Sequence, residues 1–221
     1  MANWVTHLRI AEAVFNKLKF SVDIDKYLIG SIAPDCGIVV YNENGKRGYN
    51  PPRYISHWTD NKPDWDSAIH YEGFYDTYIM NESNVDKKSF YLGYYIHLIT
   101  DALWIELVSR PVIESFETVK ENAKKARNQA RADWFDTELI FLLNTPEFRP
   151  LKLFKTLKNF NNIYLDYFQP MAIQNKIDEV VKTYDDFSVD VNRVYPYFSY
   201  KEYEHMIIVI TRLIVMSLLS R

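Results

Sequence analysis

The stretch from Tyr94 to Trp104, YYIHLITDALW, sets His97 and Asp101 one helical turn apart inside an otherwise apolar segment. Residues i and i+4 project from the same face of an α-helix. An imidazole and a carboxylate held side by side in a core are costly unless something satisfies them. A divalent metal does so directly, because both groups are ordinary ligands of zinc and similar ions. The competing reading is a core histidine hydrogen-bonded to a carboxylate.

The rest of the chain adds matching groups. Of its five histidines, His7 opens the first helical pattern in NWVTHLRIAE, and His57 lies in YISHWTD. Asp35 closes IGSIAPDCG. With His97 and Asp101 these residues offer three imidazoles and two carboxylates from separate segments, which is what a metal site draws together. His70 and His205 have no comparable context and are expected at the surface or in structural roles. Trp58 and Trp104 are expected to pack, and Cys36 to act as a small buried hydrophobe rather than a soft ligand.

The elements that must position these residues are helical. An apolar stripe at Leu8, Ala11, Val14, Phe15 and Leu18 follows Thr6, an expected cap. A short helix is expected from Asp25 to Ile32, stopping before Pro34. Residues Asp35 to Pro63, with Pro51-Pro52 and Asn42-Glu43-Asn44-Gly45, read as a long loop with one short extended piece at Gly37 to Tyr41. Helix is expected from Trp65 to Met80 and from Val85 to Val108, ending near Pro111. Residues 112–131 read as an exposed helix whose Lys120, Lys124, Lys125, Arg127 and Arg131 form a solvated face. A turn is expected at Ala132 to Asp136, then helix at Thr137 to Leu143, Leu151 to Phe160, Met171 to Phe187 and Tyr200 to Ser220. Residues 1–221 are therefore read as one all-α domain, a helical bundle.

Composition narrows the function classes. A net charge of −3 gives no field for a long nucleic acid. Six glycines, none in a phosphate-loop pattern, argue against a Gly-rich nucleotide cradle. One cysteine excludes an internal disulfide framework and suits a reducing compartment. The N-terminal residues lack the apolar core of a secretory signal, so a cytoplasmic protein is expected. The run from Met206 to Leu219 is short for a membrane span and contains Arg212, so no transmembrane segment is expected.

NWVTHLRIAEAV, IGSIAPDCG, SHWTD and YLGYYIHLITDALW, in that order, resemble the zinc-dependent phospholipase C family, whose wider group includes P1/S1-type nucleases. The resemblance covers Asn3 to Trp104. It implies the helical-bundle fold of that group and one or two Zn²⁺ ions, or another divalent transition metal. Asp35, His57, His97 and Asp101 would hold one ion, and Asp101 would bridge to a second that His7 also binds. Asp35 would be catalytic, orienting or deprotonating the attacking water.

The chain also departs from that pattern. In the secreted enzymes a processed N-terminal tryptophan binds metal through its amine, whereas Trp4 here is internal. Residues 102–204 contain no histidine, so the family's third zinc site cannot be built as it is there. Asp136 is the first candidate to replace those ligands, ahead of Asp133 and Glu138. The alternative is that Asp136 or Thr137 caps a helix.

The resemblance implies a metal-dependent phosphoester hydrolase acting through a metal-activated water, on a small phosphoester or a phospholipid headgroup. The alternatives are a nuclease or nucleotidase of the same fold and a catalytically inactive, metal-stabilised helical protein. A hydrolase of the HD type fits worse, because no His-Asp dipeptide occurs.

Overall fold

A computed structural model of the chain describes residues 1–19, 21–60, 67–117 and 123–221. It is all-α apart from one small hairpin, as expected. Its centre is α5 (Val85–Trp104), in which every residue from Ser89 to Asp101 is buried. A helix apolar all round belongs inside a bundle. Around it pack α1 (Trp4–Leu18), α2 (Ile24–Gly30), α4 (Tyr71–Tyr78) and α10 (Tyr200–Leu219). One continuous apolar core joins residues from α1 through α10.

Helices α2 and α5 approach each other closely. A Cβ on Gly93 would lie 1.9 Å from the Tyr27 carbonyl oxygen, and one on Gly30 would lie 2.0 Å from the Phe90 carbonyl oxygen. Only glycine allows the two backbones to touch in this way. Capping then orients the ends. Asp23 caps α2 by accepting from the Asp25 and Lys26 amides, and Asn84 caps α5 by accepting from Lys87. Ser199 and Glu202 form a capping box on α10.

Several boundaries differ from expectation. Thr6 lies inside the first turn of α1 rather than capping it; the cap position is Asn3. The span from Asp35 onwards is more ordered than a plain loop. It contains a 3₁₀ turn (Ala33–Cys36), an antiparallel hairpin of β1 (Ile38–Tyr41) and β2 (Arg47–Asn50), and the short α3 (Arg53–Ser56). The extended piece expected at Gly37 to Tyr41 is β1. Residues 61–66, including Trp65, lie outside the described residues.

The central helix does not stop before Pro111. A π-turn (Ile105–Ser109) leads into α6 (Arg110–Glu117), so Pro111 falls in a first turn, where its missing N–H costs little. The turn expected at Ala132 to Asp136 is absent, because α7 runs unbroken from Ala123 to Asn144. No glycine or proline interrupts that stretch, and polar composition alone does not end a helix. Asp136 and Thr137 are thus mid-helix and cap nothing. Lys125, Arg127 and Arg131 are exposed; Lys120 lies outside the described residues. α8 (Arg149–Thr156) and α9 (Ala172–Asp185) complete the chain before α10.

Candidate metal centre

Four segments bring five side chains to one point. α5 supplies His97 and Asp101, the second turn of α1 supplies His7, the 3₁₀ turn supplies Asp35, and the residue capping the C-terminus of α3 is His57. His7 and His97 stack face to face with ring centroids 3.6 Å apart and planes at 4°. Both aim Nε2 at Asp101, His7 at 3.3 Å from Oδ1 and His97 at 3.5 Å from Oδ2. His57 Nε2 lies 3.2 Å from Asp35 Oδ1 and 3.9 Å from Asp101 Oδ2. The ligand atoms of His7, Asp35 and His97, and those of His57, His97 and Asp101, each lie within 4.8 Å of one another. Five of the six residues expected to bind metal, all but Asp136, are therefore joined in the cluster, with His97 shared between both groups.

The chemistry of this donor set fits a cation. His97 Nδ1 is 2.8 Å from the Ser31 carbonyl oxygen. A carbonyl only accepts, so Nδ1 carries the hydrogen and Nε2 of the neutral ring presents a lone pair. That lone pair faces a carboxylate oxygen, which presents lone pairs of its own. Both nitrogens of His7, Nε2 of His97 and Oδ2 of Asp101 are buried with no hydrogen-bond partner. Buried polar atoms are rarely orphaned. A proton or a metal ion between the facing lone pairs resolves the conflict, and five donors are more than one proton needs.

The electrostatics of His7, His57 and the two carboxylates agree. Burial lowers the His7 pKa, and the stacked His97 pushes the same way against the opposing pull of Asp101. Burial, reinforced by the nearby Arg53 charge, pushes His57 down to about 4. His97 rises against the effect of burial, because the Asp101 carboxylate beside it favours the charged ring. Burial would raise Asp35 and Asp101, yet the surrounding imidazoles hold both below the usual carboxylate range. Neutral imidazoles at His7 and His57 and ionised carboxylates are the protonation states that metal binding requires.

A supporting layer fixes the ligands. The α2–α5 contact through Gly30 and Gly93 carries Ser31 to His97. Ser56 Oγ is 2.9 Å from His57 Nδ1, and the Tyr94 hydroxyl donates to the Ser56 carbonyl oxygen. The Trp4 indole donates to Asp35 Oδ2 at 3.0 Å, and the Ala2 amide donates to Asp101 Oδ1 at 3.0 Å. Glu138 accepts from both the backbone N–H and the hydroxyl of Thr6, each at 2.6 Å, and from the Tyr184 hydroxyl at 2.5 Å. It thus caps α1 from another helix, one residue before His7. Burial pushes its carboxyl up to about 7 despite those hydrogen bonds.

Sequence reasoning did not find Ala2, Ser31, Ser56 or Tyr94. A backbone carbonyl or amide carries no type signal. Glu138 was considered as a ligand, but its partner Thr6 is 132 positions away and only folding joins them. Asp136 is in neither ligand group. Its Oδ2 accepts from Arg193 Nε at 2.6 Å, and Asp133 Oδ1 accepts from Arg193 Nη1 at 2.7 Å. Their arginine partner sits in a stretch without any motif. Cys36 is also outside the groups: it is buried, its Sγ 3.8 Å from the Ile32 carbonyl oxygen. Trp104 is buried, and Trp58 packs edge-on against Phe74 and Tyr78. His70 meets Asp60 at the surface, and His205 is exposed.

Asp35, with its side chain 19% exposed, is where the cluster reaches solvent. It opens with His57 onto a cavity of about 380 Å³ lined also by Trp4, Arg47, Arg53 and Lys176. Lys176 lies over the Trp4 ring and pairs with Glu179 at 2.5 Å.

The segment from Thr6 to Trp104, which holds all five converging residues, matches the model of the zinc-dependent phospholipase C family over residues 6–104. The buried His/Asp groups are able to hold the metal in that description. No curated protein and no solved structure matches the chain.

Proposed function

We propose that this protein is a zinc-dependent phosphoester hydrolase, phospholipase C-like, in which His7, Asp35, His57, His97 and Asp101 hold one or two ions. The observation that carries this reading is the set of buried, partnerless lone pairs converging at Asp101, open to solvent on the Asp35 side. When bound, zinc supplies Lewis acidity, which lowers the pKa of water and neutralises charge developing on phosphoryl oxygens.

The chain's own residues do the rest. Asp35 is the catalytic group, accepting a hydrogen bond from the attacking water and aiming it at phosphorus. The Trp4 indole and His57 hold its carboxylate in place from two sides. Arg47 and Arg53 line the cavity beside it and bind the substrate anion. The substrate is a small phosphoester or a phospholipid headgroup, and residues 1–221 act as one domain. Asp136 serves structure through Arg193, outside the metal set.

A panel of phosphomonoesters, phosphodiesters and phospholipids, assayed with zinc-loaded protein, tests the reading. Hydrolysis should be removed by chelator and restored by Zn²⁺. Asp35→Asn should lower turnover by roughly 10²–10⁴-fold with a smaller loss of bound metal. Activity confined to nucleotides would assign the nucleotidase alternative, and no chelator-sensitive hydrolysis on any substrate would leave the inactive, metal-stabilised protein.

A further inference from the structure

We propose that the β1–β2 hairpin is a membrane-docking element that seats the mouth of the cavity on an anionic lipid surface. This goes beyond the hydrolase reading and is tested without turnover.

Strand β1 is Ile-Val-Val-Tyr, and all four residues are exposed: Ile38 48%, Val39 42%, Val40 37% and Tyr41 69%. Successive side chains of a strand point to opposite faces, so apolar groups stand in solvent on both sides of this one. A strand apolar on both faces is ordinarily covered on both. Among the described residues β1 pairs only with β2, and no third strand covers the sheet. Contiguous exposed apolar patches of this kind mark interaction surfaces.

The hairpin is not a frayed loop. Asn42 closes its turn, its side chain accepting from the Asn44 and Lys46 amides at 3.0 and 2.9 Å, and Gly45 takes the positive φ of 70° that the turn demands. The patch is held out in a set shape.

Charge chooses the occupant. Residues 38–53 carry Lys46, Arg47 and Arg53 against Glu43 alone, in a chain of net charge −3. Arg47 and Arg53 gather on the Tyr49 ring, 5.5 and 5.9 Å from its centroid. Aliphatic residues and a tyrosine beside lysine and arginine suit the boundary of an anionic bilayer, where apolar groups enter the acyl edge and cations meet headgroups.

Position gives the docking a purpose. Ile38, Val39, Arg47, Tyr49 and Arg53 form one wall of the cavity that reaches Asp35 and His57. A bilayer held by the exposed side of the hairpin lies at that cavity's entrance.

The experiment is vesicle flotation of the full, metal-loaded chain. It compares phosphatidylcholine vesicles with vesicles that also contain phosphatidylserine. The protein should float with the anionic vesicles, less with neutral ones, and less with anionic ones as salt rises. Val40→Asp with Tyr41→Asp, neither of which lines the cavity, should lower partitioning by about tenfold or more with an unchanged melting temperature and metal content. Lys46→Glu should weaken binding to the phosphatidylserine vesicles alone. Absence of flotation with the anionic vesicles overturns the proposal, as does equal flotation of the Val40/Tyr41 variant. Sedimentation showing a dimer that this variant dissociates, without vesicle binding, would assign the hairpin to a second copy instead. Because no readout uses hydrolysis, docking and the hydrolase reading fail separately.

Discussion

Two buried aspartates on two long helices of this protein, Asp133 and Asp101, meet opposite fates. On α7, Asp133 is fully buried, yet its oxygens accept from Arg193, the Tyr197 amide and Gln129 at 2.7, 3.0 and 3.1 Å. Asp136 shares the same arginine. On α5, Asp101 is as deeply buried, but its Oδ2 accepts no hydrogen bond and faces the Nε2 atoms of His57 and His97. The difference lies in the partner. A guanidinium is a permanent cation with donors fixed in place, so it completes the α7 site. Imidazoles are cations only when protonated, and as neutral rings they offer lone pairs. The α5 site is left needing a positive charge from outside. Buried acids that look alike in the sequence thus become a structural ion pair in one place and part of a site able to hold a metal ion in the other.

The largest expected effect tests this contrast directly. His97→Ala and Asp101→Ala should each lower metal affinity by well over a hundredfold, beyond the roughly 10–100-fold that loss of a supporting partner costs. Melting temperature should fall with it, because binding is coupled to folding. Asp136→Ala should keep full metal content. Metal analysis and thermal melts of the purified variants decide, and full retention by the His97 and Asp101 variants would erase the distinction.

Next in size is Gly93→Ala. The added Cβ meets the Tyr27 carbonyl oxygen and, at 2.9 Å, the Ser31 nitrogen, and backbone cannot yield as a side chain does. Separation of α2 from α5 should cost about 3 kcal/mol. It should also weaken metal binding by about tenfold, because His97 loses the Ser31 carbonyl. Chemical denaturation and zinc titration measure the two together. Loss of stability with unaltered zinc affinity would mean that Ser31 does not orient His97.

Arg193→Ala should destabilise by about 2 kcal/mol, since Asp133 keeps two of its donors while losing its counter-charge. Metal stoichiometry should stay unchanged. A fall in bound metal would join the two acid groups that the geometry separates.

The smallest effect belongs to His70→Ala. Its contact with Asp60 is exposed, 58% and 34% by side chain, so stability should change by no more than about 0.5 kcal/mol. Metal content should not change. This variant separates a surface imidazole from the three buried ones.

The five converging side chains were legible because each sits in a local pattern: the turn spacing of His97 and Asp101, and short motifs around His7, Asp35 and His57. The central helix, α9 and α10 were legible from periodicity. The unbroken course of α7 was not, because Ala132 to Asp136 is polar enough to read as a turn while containing no residue that ends a helix. Nor was the passage of the chain through Pro111, where a π-turn absorbs the change.

The sequence by itself determined the helical class, and the types of the five converging donors and their order along the chain. These follow from residue identity and from spacing within one or two helical turns. Only the tertiary structure decided that Asp136 answers to Arg193, that Glu138 caps α1 beside His7, and that Ser31 orients His97. Each of these depends on a partner 57, 132 or 66 positions distant. No local pattern encodes such a pairing; it exists only once burial has brought the helices together and set these polar groups beside their partners.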